Sequence, residues 1–148
     1  MRGVIVGGLV FALIALIAGA AVAQSRTDAA KKQMQTAFFH ASELAQKAPT
    51  IAGVLQHVQH VVNCLEGSGG KNFNSAPGYP CQGQGSGILP DLQAAADAGD
   101  KAAARALRFA NVADKLAVNV LKFTEVDAAQ PQMKVVANNL QQALDAFK

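Results

Sequence analysis

The histidines have the most chemistry to offer, and there are three of them in the chain: His40, His57 and His60. His57 and His60 stand at i and i+3, which is one turn apart on a helix. His40 belongs to the preceding segment. It lies as far in sequence from the Ala48-Pro49 junction as His57 does, so a hairpin turning there sets the two level. At about 100° per residue, each falls about 100° from the centre of its own apolar stripe, in the same rotational sense. In an antiparallel pair that places both on one side of the seam. Three imidazoles brought together in this way suit Zn, Cu or Ni. Glu43, one turn from His40, is a candidate further carboxylate. Asn63 and Tyr79 are candidates to hydrogen-bond the ligands from behind, and Gln82 belongs to the same covering loop as Tyr79. Haem is the weaker expectation, because there is no Cys-x-x-Cys-His attachment motif. The alternative is that no cofactor binds, with three solvated or hydrogen-bonded imidazoles under a loop that simply packs on them.

What would cover the site depends on the two cysteines, Cys64 and Cys81. In an oxidising compartment they read as a disulfide closing a loop of about 18 residues, worth about 3 kcal/mol in the chain-entropy model. Gly53, His57, His60 and Cys64 form a second stripe on their helix, apart from the apolar one. A bond from Cys64 to Cys81 therefore folds Tyr79, Pro80 and Gln82 back over the histidines. The parent loop, residues 67–90, is unlike the rest of the chain: it holds seven glycines, three of the five prolines and the only tyrosine. Loops this long inside a compact domain tend to be functional.

Four amphipathic helices position these residues. The first is expected over about Thr27 to Ala48, with Met34, Ala37, Phe38, Ala41, Leu44, Ala45 and Ala48 in line. The second runs from about Thr50 to Glu66 on Ile51, Val54, Leu55, Val58, Val61, Val62 and Leu65, and Gly67 ends it. Helical character resumes at Pro90-Asp91, and Gly99-Asp100 marks a break or a fresh cap. The third helix then runs to about Val126 with a wide arc of Leu107, Phe109, Val112, Leu116, Val120, Leu121 and Phe123. Asp127 and Gln130 have capping-box spacing ahead of a last helix on Met133, Val136, Ala137, Leu140, Ala143, Leu144 and Phe147. No strand pattern and no repeat is present. The expected fold is all-α: an antiparallel four-helix bundle, residues 24–148, with one long disulfide-tethered loop.

The run from His57 through His60, Asn63, Cys64, Leu65 and Gly67, followed by Pro80, Cys81, Gly83 and Gly85, resembles a group of exported bacterial small helical proteins. In these a His-rich helix ends in Asn-Cys-Leu-x-Gly and leads into a Gly-rich Pro-Cys loop. The resemblance covers about 30 residues. It implies that helix and loop form one unit, and it assigns no activity.

Export is also the reading of residues 1–23, where Arg2 precedes an apolar run ending Ala21-Val22-Ala23. This is the pattern of a signal peptide cleaved before Gln24. The competing reading is an uncleaved membrane helix, since about 20 helical residues span a bilayer. In both the remaining chain lies outside the cytoplasm, periplasmic or secreted, or else anchored there. The net charge of +3 is thinly spread, which argues against a nucleic-acid partner. Arg108, Asn111, Lys115 and Lys122 read as a solvated ridge. Gly67 to Lys71 is not a phosphate loop, because Leu65 occupies the required first glycine position and a helix precedes the run. Without a nucleophile motif the chain reads as a binding protein and not an enzyme. Its expected partner is a metal ion or, in the competing reading, a membrane complex to which it is an accessory subunit docking through the loop.

Overall fold

The computed structural model describes the backbone of residues 6–148 and the side chains of residues 21–148. The signal-peptide or anchor reading of residues 1–23 falls outside those side chains, apart from its last three residues. The described residues form helices and no strand, and within residues 21–148 no helix is long and apolar enough to cross a membrane. Helix α1 (Val6–Phe39) continues through a π turn (His40–Leu44) and a short α turn (Ala45–Lys47). It stops at Ala48, whose ψ of 122° is the extended backbone that a following proline demands. Helix α2 (Ile51–Glu66) begins at Thr50, whose hydroxyl accepts from the Gly53 N–H at 3.2 Å, an N-cap. It ends at Gly67, with a φ of 71°. Helices α3 (Ile88–Asp97), α4 (Lys101–Val120) and α5 (Val126–Asp145) complete the chain.

Three expectations change here. The fresh cap at Gly99-Asp100 is present, and the segment ahead of it is a helix of its own, so the described residues form five helical rods where a four-helix bundle was expected. Gly99 turns the backbone with a φ of 97°. The Asp100 carboxylate then caps α4, accepting from the N–H groups of Ala102 and Ala103 at 2.8 and 3.0 Å. The loop is correspondingly shorter and gives way to α3 at Ile88. Pro90 fits within the first turn of α3, where a missing N–H leaves no helical bond unmade.

The second change concerns α4. Its fully buried residues are chiefly alanines: Ala103, Ala106, Ala110, Ala113 and Ala117. The larger Leu107, Phe109 and Leu116 are only partly buried, and Val112 is 45% exposed. The cause is crowding. Helix α4 packs against α2, α3 and α5, and small side chains let three neighbours approach one rod. On the other helices the expected stripes do form the core, including Met34, Val58, Leu65, Met133 and Leu140, all at 0% exposure.

The third change is at Gln130, which makes no capping box with Asp127. Its Nε2 instead crosses to the end of α1, lying 3.2, 2.9 and 3.1 Å from the carbonyls of Ala45, Gln46 and Ala48. A helix end leaves such carbonyls without partners, and this amide supplies one. Gln46 Nε2 returns a bond to the Gln130 carbonyl at 2.8 Å.

The loop closes on itself. Gly67 and Gly87 pass so closely that a Cβ on Gly87 would lie 2.7 Å from the Gly67 nitrogen. Cys64 and Cys81 form the expected disulfide, with Cα atoms 5.3 Å apart. Beyond it, the fully buried Asp91 accepts from Arg26 Nη1 at 2.7 Å, Gln33 Nε2 at 2.7 Å and the Ser86 N–H at 2.9 Å. A buried carboxylate is tolerated when it is paired and hydrogen-bonded in this way.

The alanine face of α4 sets a measurable expectation. Ala110→Leu should destabilise the protein by about 1–3 kcal/mol through overpacking. Val112→Ala should shift stability by no more than about 0.5 kcal/mol. Urea unfolding midpoints check both, and a larger loss from Val112→Ala would place the large side chains, not the alanines, in the core.

Candidate metal centre

Hairpin register, loop closure and a π turn together assemble the site. The π turn opens at His40, whose carbonyl accepts from the Ala45 N–H in place of the usual residue one step nearer. Such turns reorient side chains and recur at functional sites. The ring of His40 faces both histidines of α2. Its Nδ1 is 3.3 Å from His57 Nδ1 and 3.2 Å from His60 Nδ1. Ring centroids are separated by 5.4 Å for His40 and His57, 4.7 Å for His40 and His60, and 5.6 Å for His57 and His60. The level pairing of His40 with His57 is therefore present, and His40 is equally close to His60. One ligand atom from each ring lies within 4.8 Å of the others.

The loop decides which nitrogens are available. His60 Nε2 donates to the Pro77 carbonyl at 2.7 Å, because a carbonyl can only accept. A neutral His60 therefore carries its proton on Nε2 and presents a bare Nδ1 lone pair to His40. Of the two short contacts His40 makes, its single Nδ1 proton can serve only one fully. The other is a meeting of nitrogens that a hydrogen bond does not satisfy. An ion accepting one lone pair from each ring resolves this. At Zn–N distances of 2.0–2.1 Å, tetrahedral geometry sets ligand nitrogens about 3.3 Å apart.

Each ring is held differently. His60 is buried, while His40 and His57 are half-buried. Burial, followed by the nearby His60 and His57, depresses the His40 pKa from 6.5 to about 4. Burial and then His60 lower that of His57 as well. Both effects favour the neutral imidazole, the form that ligates metals.

The remaining predicted residues take other places. Asn63 is fully buried and pins the loop: its Nδ2 donates to the carbonyls of Asn74 at 2.7 Å and Gly78 at 2.8 Å. Its Oδ1 accepts from the Asn74 N–H and from Gln59 Nε2, both at 3.0 Å. It thus fixes the residues on either side of Pro77. Tyr79 packs edge-on against Phe73 with centroids 5.2 Å apart, and burial, then Asp91, raises its pKa. Glu43 receives Lys47 Nζ at 2.6 Å and is partly exposed. Gln82 is exposed, with its backbone N–H donating to the Tyr79 carbonyl at 3.1 Å. The contact that sequence reasoning missed is the Pro77 carbonyl. A backbone acceptor carries no residue-type signal, although the Pro77-Gly78 turn in a tethered loop marks the place. Gly78, with a φ of 114°, leaves room for the ring: a Cβ there would stand 3.3 Å from His60 Nε2.

Set beside known proteins, the chain matches no family model, no curated protein and no solved structure. The geometry alone therefore carries the functional reading.

The depressed pKa of His40 gives a pH dependence. Between pH 6.5 and about 4 the unfolded chain takes up a proton on His40 that the folded chain refuses. The metal-free protein should lose stability as pH falls through that window, with His57 acting in the same direction. His40→Gln should flatten the dependence of the thermal midpoint on pH. An unchanged slope in that variant would assign the acid sensitivity elsewhere.

Proposed function

We propose that this chain is an exported helical binding protein that holds one transition-metal ion through Nδ1 of His40, His57 and His60. The reading rests on one observation. Two Nδ1–Nδ1 separations, 3.3 and 3.2 Å, already match the spacing of nitrogens around a shared tetrahedral ion. The ion is Zn, Cu or Ni, since imidazole suits all three. The Pro77 carbonyl orients His60 from behind, and Asn63 acts one step further back by holding the loop. Tyr79, Gln82 and Glu43 are not required as ligands in this reading. The role is binding, storage or delivery of metal.

The disulfide supports an oxidising compartment. With the apolar segment of residues 1–23 it favours a periplasmic or secreted protein cleaved before Gln24, built on a bundle of packed helices.

Elemental analysis tests the ion directly. Protein purified from its native compartment without chelator should carry close to one metal per chain, and a His40→Ala/His57→Ala variant should carry almost none. Zn(II) or Cu(II) in excess should raise the melting temperature of the native chain and leave that of the variant unmoved, because only a ligand bound to the folded state stabilises it. No metal in either protein, with no thermal shift, would refute the metal reading.

Intact mass gives the second test. A native chain beginning at Gln24 is expected. One retaining Met1 would favour the membrane-anchored accessory subunit, with the loop as its docking surface.

A further inference from the structure

We infer that the ion bound by His40, His57 and His60 keeps one coordination position outside the protein, and that this position takes a small exchangeable anion. The inference rests on the metal reading above and concerns what completes the ion's shell.

Three imidazoles supply three of the four ligands that a tetrahedral ion requires. The other candidate donors named from the sequence are engaged. The carboxylate of Glu43 holds Lys47 at 2.6 Å. Both polar atoms of the Asn63 amide are taken by the loop and by Gln59. Cys64 and Cys81 are bonded to each other, and no free cysteine exists among the described residues. The Tyr79 ring lies against Phe73.

Access is one-sided. On the side of His60 the site is closed by the Pro77 carbonyl at 2.7 Å and by the Gly78 backbone. His40 and His57 are only half-buried, so solvent reaches the ion past their edges.

Charge selects the kind of ligand. A divalent ion held by three neutral rings keeps its full charge, and no carboxylate joins the three histidines in the cluster among the described residues. A monoanion in the fourth position removes half of that charge at the shortest possible distance. Water fills the position when no anion is present.

Cobalt(II) and azide are suitable probes. The full chain loaded with Co(II) should show visible d–d bands that saturate at one cobalt per chain. Sodium azide should then shift those bands along a saturable curve fitting one azide per cobalt, while sodium perchlorate at equal ionic strength should leave them unmoved. Bands that ignore azide would overturn the inference and leave the metal reading standing. A response found only in Glu43→Ala would overturn it in favour of Glu43 as the fourth ligand. Failure of Co(II) to bind, or equal binding by His40→Ala/His57→Ala, would remove the metal reading itself and this inference with it.

Discussion

The segment between α2 and α3 leaves and re-enters the body of the protein at a single point. Gly67 and Gly87 meet backbone to backbone, at a separation that leaves no space for a side chain on either. Part-way round, Cys81 is bonded to Cys64 on the last turn of α2. With base and middle both fixed, the Pro77 carbonyl has few positions available, and one of them meets His60 Nε2. That contact assigns the His60 tautomer and so turns a lone pair toward His40. The relation among the three imidazoles is thus a downstream result of how the chain is closed. A free loop of the same composition would leave His60 to choose its own partner from water.

The Asn63 amide extends the same constraint. Three of its four hydrogen bonds reach the flanks of Pro77, at Asn74 and Gly78, so the carbonyl is held by geometry on either side of it. At the far end of the segment, Asp91 gathers Arg26, Gln33 and the Ser86 N–H into one buried cluster. Removing one partner from such a cluster leaves an uncompensated buried charge, which costs far more than the pair itself contributes. The loop is therefore anchored by a covalent bond near the histidines and by electrostatics near α3.

Much of this was legible in the sequence. The hairpin at Ala48-Pro49 and the clean stripe of α2 placed His40 beside His57, because helical periodicity converts spacing into direction. The two cysteines placed the loop over them. What was not legible is instructive. The wide apolar arc of α4 suggested that its large side chains point inward, yet the alanines do. Composition reports which residues are apolar, but the number of neighbours around a helix decides which of them fit. The length of α3 was obscured by Pro90, which reads as a boundary but is harmless within a first turn. Gln130 looked local and proved to act across the structure at the end of α1. The Pro77 carbonyl carried no residue-type signal of its own, since main-chain acceptors are common to every residue. Arg26 and Asp91 are 65 positions apart, beyond the reach of any periodic pattern.

The disulfide has a consequence for a chain that has been cut. His40, His57 and His60 all precede Cys64, so every imidazole lies on one continuous segment ahead of the ring that Cys64 and Cys81 close. A protease that severs the exposed stretch around residues 74–76 would produce two polypeptides that the sulfur bridge keeps as one molecule. The three histidines would stay together on the amino-terminal piece, while the carbonyl that orients His60 would move with a newly freed end. Such damage would loosen the clasp before it separated any of the three imidazoles.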